Sequence, residues 1–305
     1  MTKGIDQRQE QGHRFGGDWT STKLRILSEY LSSYTKALKN QPFRKAYIDA
    51  FAGTGYRAAK PRGGSDPDTL LFPDLAEQEP QGFLDGSARH ALQTEPRFDR
   101  YIFIERDRER YACLKGLKQE FPALADDIDV RCADANDAIR ELCAKDKDWR
   151  SRRAVMFLDP YGMQVEWPTI EAIARTQAID LWLLFPLGVG VNRLLKRSGE
   201  IPDEWRHRLD LLLGTTDWFE AFYRVEAERT LQGTDEERVV KATPTEIGAY
   251  FIDRLKSVFA AVAERPRILR NSRNCPLYLL CFAVGNKAGA RPAMRIAEYL
   301  LRTVP

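Results

Sequence analysis

Four acidic residues stand where four short apolar runs give out: Asp49 in "KAYIDAFAGTG", Glu105 in "RYIFIERD", Asp134 in "DIDVRCAD" and Asp159 in "RAVMFLDP". If these runs are parallel strands of one sheet, all four carboxylates reach its carboxyl edge, where open α/β sheets bind ligands. After Asp49, Gly53 and Gly55 let the backbone approach a ligand with no Cβ in the way, and Phe51 lies in the same loop. At the end of the second run, Glu105 is placed to accept hydrogen bonds from both hydroxyls of an unphosphorylated ribose. Asp134 can accept a hydrogen bond from an adenine amino group, or it can cap the helix that follows it. Together Asp49, Phe51, Gly53, Gly55, Glu105 and Asp134 predict a site for an adenosine-containing cofactor.

Two cofactors of that kind compete. "GTGYRA" satisfies G-x-G-x-x-A, but a dinucleotide fingerprint needs its last small residue inside a helix packed on the strand, and this loop runs instead into "AAKPRGG". S-adenosylmethionine carries no pyrophosphate and needs no such helix, and an acidic residue ahead of the glycines suits its cationic amino-acid end. The methyl donor is the favoured cofactor. No G-x-x-x-x-G-K-[ST] is present, which excludes a P-loop ATPase at the level of motifs.

The fourth run ends Asp159-Pro160-Tyr161-Gly162. Beside a methyl donor, these residues suit methylation of a nitrogen on a planar ring. The lone pair of an exocyclic amine is delocalised, so the amine is a poor nucleophile. Asp159 can accept one of its protons and favour the geometry in which the lone pair faces the methyl group. Pro160 steers Asp159 away from helical backbone, and Tyr161 can stack on a flat substrate. Asp159, Pro160 and Tyr161 are therefore the candidate catalytic turn. A plain tight turn is the alternative, since Asp, Pro and Gly all favour turns.

These residues need a scaffold. The spacing predicts strand and helix in alternation, repeated five times up to "AIDLWLLFPLG", which is apolar enough to be buried on both faces. That pattern predicts an α/β fold: a doubly wound, mainly parallel, Rossmann-like sheet with right-handed crossovers. "RPRILRNS" and "CPLYLLCFAVGN" then read as an antiparallel hairpin. Residues 1–18 read as a loose arm and 19–305 as one domain. Within it, 56–86 is a loop insertion, and 200–263 is a helical insertion that includes "DWFEAFYRVEAE". An opening helix is expected over 21–39, capped by Thr20 or Ser21.

Composition narrows the classes further. With 305 residues, 43% of them apolar, the chain can bury a sizeable core, and no run of about 18 apolar residues suggests a membrane span. A cytoplasmic protein is expected. The five cysteines form no C-x-x-C pair and the three histidines are scattered, so no metal site is expected. A net charge of +3 does not announce a nucleic-acid binder, because phosphates need a local basic face. Arg193, Lys196 and Arg197 follow the fifth strand, and Arg57, Lys60 and Arg62 follow the first. Both groups should overhang the ligand edge as candidate phosphate contacts.

With those residues in view, the chain resembles the three-Cys-motif partner (TcmP) family over nearly its full length. The likeness is carried by "DWTSTKLRILSEYLSSY", "YIDAFAGTG", "YIFIERD", "FLDPYGMQVEWPTIEAIART", "IDLWLLFPLGVGVNRLL" and "PLYLLCFAVGN". That family resembles class I S-adenosylmethionine-dependent methyltransferases. The resemblance implies a partner, a three-cysteine-motif protein encoded nearby that looks like a radical-S-adenosylmethionine enzyme. By the class pattern, Asp49, Gly53 and Gly55 fit the first cofactor motif, Glu105 the ribose contact, Asp134 the adenine contact, and Asp159 with Pro160 and Tyr161 the catalytic turn. One departure stands out. Enzymes that methylate amino groups of nucleic acids usually carry Asp-Pro-Pro-Tyr or Asn-Pro-Pro-Tyr, whereas this chain has a single proline.

Two functions are therefore expected to compete. One is a methyltransferase acting on a nitrogen of a nucleic-acid base or of a planar small molecule. The other is a non-catalytic scaffold that keeps the fold and docks the partner, for which Trp205, Leu212, Trp218 and Phe222 are either a docking face or ordinary core.

Overall fold

The computed structural model describes residues 19–54, 86–229 and 235–305. The expected arm over 1–18, Gly55, and Arg57, Lys60 and Arg62 with nearly all of the 56–86 insertion lie outside the described residues.

Five strands are parallel: β1 (Arg44–Asp49), β2 (Arg100–Ile104), β3 (Ile128–Arg131), β4 (Arg152–Leu158) and β5 (Ile179–Phe185). Every residue of β5 and the last five of β4 are buried, as apolar strands covered on both faces must be. β6 (Tyr223–Arg229) and β7 (Asp235–Lys241) form a separate two-stranded ribbon. β8 (Ala261–Val262) and β9 (Arg267–Arg270) both pair antiparallel with β10 (Pro276–Val284), which is antiparallel to β5. The main sheet therefore runs β3-β2-β1-β4-β5-β10-β8, with β9 also on β10. The chain winds outward from β1 in one direction and from β4 in the other, so the switch point lies between these two strands. This is the expected doubly wound, mainly parallel, Rossmann-like sheet, with the antiparallel hairpin in place.

The opening helix α1 (Trp19–Ala37) already contains Thr20 and Ser21 in its first turn, so neither caps it from outside. Burial explains the earlier start: the Trp19 ring stacks on Tyr278 of β10 with centroids 5.3 Å apart, which holds the first turn against the sheet. Further along, Tyr30 meets Trp182 and Phe282 edge-on, and its hydroxyl donates to Asp180 at 2.6 Å. Tyr34 stacks near Phe98. α1 thus crosses one face of the sheet from the carboxyl edge, at its first turn, towards the amino edge.

The crossover helices are α2 (Ser87–Leu92), α3 (Arg108–Lys115), α4 (Leu117–Glu120), α5 (Ala135–Leu142) and α6 (Trp167–Arg175). Then come α7 (Asn192–Leu194), α8 (Asp203–Leu213), α9 (Trp218–Phe222), α10 (Pro244–Lys256) and α11 (Ala290–Thr303). Among the described residues, no helix is long and apolar enough to cross a membrane.

The insertion at 200–263 is not wholly helical. α9 stops at Phe222 and the chain turns into the β6–β7 ribbon, while α10 ends at Lys256 and β8 follows. The reason lies in the spacing. Trp218 and Phe222 share a helical face, but beyond them Tyr223, Val225 and Ala227 alternate with charged residues, and Val225 pairs with Val239 across the ribbon. Leu212, Trp218 and Phe222 are buried in the core and Trp205 packs against it, so these residues are structural and offer no docking face.

Asp180 is the one charged residue within β5, and burial pushes its carboxyl up from 3.8 to about 7. The folded chain therefore holds a proton there that the unfolded chain has released between roughly pH 4 and 7. Its stabilising contribution is complete below about pH 4 and is lost as pH rises through 7, at up to about 1.4 kcal/mol per pH unit. In Asp180→Asn the side-chain carbonyl still accepts from Tyr30 but cannot ionise. Thermal melts at pH 5.5 and 8.0 are expected to show a smaller fall in Tm for the variant than for the wild type.

Candidate functional site

The β1–β4 register makes Asp49 the partner of Phe157, so Asp49 and Asp159 leave neighbouring strands at the switch point. Asp49 is fully buried. Its Oδ1 accepts from the Phe51 N–H at 3.3 Å, and its Oδ2 accepts from the Ser87 hydroxyl at 2.5 Å and the Tyr47 hydroxyl at 3.3 Å. Burial pushes this carboxyl up to about 7 against the pull of the Ser87 hydrogen bond, and the negative charge of Asp159 pushes it the same way. Near neutral pH, Asp49 can therefore gain or lose a proton.

Glu105 follows β2 and is nearly buried, which raises its pKa. Its Oε1 accepts from the Asp107 N–H at 2.9 Å and its Oε2 from the Gly53 N–H at 3.0 Å. That second bond ties the loop after β1 to the end of β2. Gly53 makes it possible by adopting φ +61°, and a Cβ at this position would meet nothing within 4 Å among the described residues. The demand for glycine here is conformational.

Asp134 does what one of its two expected roles required. Its Oδ1 caps α5, accepting from the N–H groups of Asn136 at 2.9 Å and Asp137 at 3.3 Å. The residue is exposed, and its Oδ2 has no hydrogen-bond partner among the described residues. Phe51 is half-buried against the core.

At the end of β4, Asp159 forms an ion pair with Lys23 of α1. The lysine side chain is 4% exposed and that of Asp159 is 26% exposed, and Lys23 Nζ lies 4.8 Å from the centroid of the Trp19 ring. Sequence reasoning passed over Lys23, yet a signal was available. Residues 23, 27, 30 and 34 share one helical face, and Lys23 is the charged residue on that otherwise apolar stripe.

The turn beyond Asp159 is fixed from beneath. Asn136, nearly buried, donates from Nδ2 to the Gln164 carbonyl at 2.8 Å, and its Oδ1 accepts from the Glu166 N–H at 3.0 Å and the Thr169 hydroxyl at 2.9 Å. The Tyr161 N–H donates to Gln164 Oε1 at 3.2 Å, and Gly162 takes φ +77°. Pro160 is buried and Tyr161 is half-buried against the core. The tight turn and the candidate catalytic turn are thus the same object: the bends that Pro and Gly permit are what present Asp159.

Arg193, Lys196 and Arg197 are exposed past the end of β5, on the same edge. Their backbone is held by Lys241 of β7, whose ammonium donates to the carbonyls of Asn192 and Leu195, both at 2.7 Å. Burial lowers the pKa of Lys241, as does the charge of Arg197. The π turn Leu187–Val191 lies close to the β4 loop, since a Cβ on Gly190 would come within 3.1 Å of Met163. Among the described residues, no group of three or more His, Cys, Asp and Glu side chains could hold a metal ion.

No family model matches the chain, and no curated protein matches it. Solved structures resemble it loosely over most of its length. A Legionella pneumophila protein of family DUF519 is 11% identical, over 96% of this chain and 94% of that one, with a TM-score of 0.46. A putative S-adenosylmethionine-dependent methyltransferase from Listeria monocytogenes is 11% identical, over 86% and 98% of the two chains, with a TM-score of 0.35. An S-adenosylmethionine-dependent methyltransferase from Clostridium acetobutylicum is 10% identical, over 86% and 91%, with a TM-score of 0.35. At such distances, none of them says which reaction this chain performs.

The coupling between the two aspartates can be tested directly. In Asp159→Asn the like charge beside Asp49 is gone, so the Asp49 carboxyl is expected to titrate below its wild-type midpoint of about 7. Carboxyl 13C NMR across pH 5 to 9 reads the shift, and an unchanged midpoint would show that the two groups do not interact.

Proposed function

We propose that this chain is a cytoplasmic S-adenosylmethionine-dependent methyltransferase that modifies a nitrogen of a nucleic-acid base or of a planar small molecule. The observation that carries this reading is the convergence of Asp49, Glu105, Asp134 and Asp159 on one edge of the sheet, around the loop at Gly53. The residues suit the donor. Each Glu105 oxygen accepts a single backbone N–H and keeps capacity for a ribose hydroxyl; Asp134 keeps Oδ2 for an adenine amino group; Asp49 supplies negative charge for an ammonium.

When bound, the cofactor supplies an electrophilic methyl group on sulfonium sulfur. The chain's own residues orient the acceptor. Asp159 takes a hydrogen bond from the amine and so turns its lone pair towards the methyl. Pro160 and the Asn136 bonds keep the turn from relaxing, and the half-buried Tyr161 ring borders the acceptor. Arg193, Lys196 and Arg197 overhang the same edge and suit phosphates if the acceptor is a nucleic acid. A three-Cys-motif protein is the proposed partner, on the strength of the sequence motifs.

One observation favours the scaffold reading: the turn after β4 carries a single proline in Asp159-Pro160-Tyr161-Gly162, where enzymes that methylate amino groups of nucleic acids usually carry two. Calorimetry separates the two. S-adenosylmethionine and its demethylated product are expected to bind, with Glu105→Ala weakening both by roughly 10- to 100-fold, as for a hydrogen bond to a charged group worth about 1.5–3 kcal/mol. No binding of either up to millimolar concentration sinks the enzyme. If the chain instead forms a stable complex with the co-expressed partner whose activity survives Asp159→Ala, the scaffold is right.

A further inference from the structure

Lys23 is buried to the same degree as the apolar residues around it, and its charge is directed into the carboxyl edge. A lysine there without a partner would be strongly destabilising, and Asp159 is that partner. The approach is one-sided: the lysine side chain is almost wholly covered, while the carboxylate keeps about a quarter of its exposure. Lys23 takes Asp159 Oδ2, and Oδ1 has no hydrogen-bond partner among the described residues. The Trp19 ring, one turn earlier, steadies the ammonium by a cation–π contact.

A purely structural role for the pair, fastening α1 to the sheet, duplicates what other residues already do. Trp19 against Tyr278, Tyr30 against Trp182, Phe282 and Asp180, and Tyr34 against Phe98 hold the helix along its length. What these contacts do not settle is the orientation of a carboxylate that stands at a strand end beside Asp49. Left alone, Asp159 would turn away from that like charge.

We propose that Lys23 is a positioning residue for methyl transfer: by holding Oδ2 of Asp159, it makes Oδ1 the oxygen offered to the acceptor amine. This rests on the methyltransferase reading above, and three measurements tell the failure of one from the failure of the other. The first is independent of activity. In 15N NMR, the Lys23 ammonium, assigned by its loss in Lys23→Met, is expected to show protons protected from solvent exchange, with that protection lost in Asp159→Asn. If Asp159→Asn leaves the signal unchanged, there is no working pair and the proposal is wrong.

The second measurement is calorimetry with S-adenosylmethionine on Lys23→Met, after a thermal melt has confirmed that the variant folds. An affinity within about threefold of the wild type is expected, because positioning acts on the acceptor side. A larger loss would place Lys23 in the cofactor site and overturn the proposal. The third is transfer of tritium from [methyl-3H]S-adenosylmethionine to total RNA, DNA and small-molecule extract of cells lacking the gene. Lys23→Met is expected to slow labelling about a hundredfold, the scale of a misplaced catalytic group, and Lys23→Arg to recover part of it. The double variant Lys23→Met, Asp159→Asn should be no slower than Asp159→Asn alone. Wild-type labelling by Lys23→Met, or additive losses in the double variant, would overturn the proposal. A wild-type protein that binds no cofactor and labels nothing, with the NMR signature intact, would instead overturn the methyltransferase reading and this role with it.

Discussion

Two carboxylates brought to neighbouring strand ends by the β1–β4 pairing repel one another, and much of the surrounding architecture answers that repulsion. Asp49 is satisfied by hydrogen bonds and shares its charge with a proton near neutrality, while Asp159 is matched by a lysine delivered from α1. The answers are unequal because the environments are unequal. Asp49 is wholly enclosed, so neutralisation by a proton is favourable there, whereas Asp159 keeps some solvent and a cation within reach.

The hydrogen bonds made by Asp49 and Glu105 organise the chain around them. Phe51 and Ser87 lie on either side of residues 55–85, and both donate to Asp49, so the chain returns to the same carboxylate after that long segment. Gly53 is drawn towards β2 by Glu105. Asn136, from the helix that Asp134 caps, reaches across to fix the turn after β4. The loops after β1 and β4 are thus each tied to a residue that follows a different strand. This is how an edge built from separate connections can be rigid enough to orient a ligand.

The positions that could be read from the chain alone share one property: their role follows from local pattern. Apolar runs such as "VMFLDP" announce strands, and in an alternating βα pattern the residue just past each strand falls on the ligand edge. Glu105 and Asp159 were legible for that reason, as was Asp134 with its two possible roles. The β6–β7 ribbon was not, because "DWFEAFYRVEAE" carries helical spacing in its first half and alternation in its second, and the switch at Tyr223 is settled by pairing with β7. Asn136 was hidden in a helix-cap sequence, since nothing local says that a capping-region amide will hold a loop 28 residues away.

By itself, the sequence determined the winding of the sheet, the edge on which its acidic residues gather, and the glycine that lets one loop bend back, because hydrophobic period and backbone sterics act over a few residues. Only the tertiary structure decided which of those acids are neutralised and by what. The partner of Asp159 comes from 136 residues earlier in the chain, on a helix whose own pattern speaks of burial, and charge pairing of that kind is set by packing in space, which no local spacing encodes.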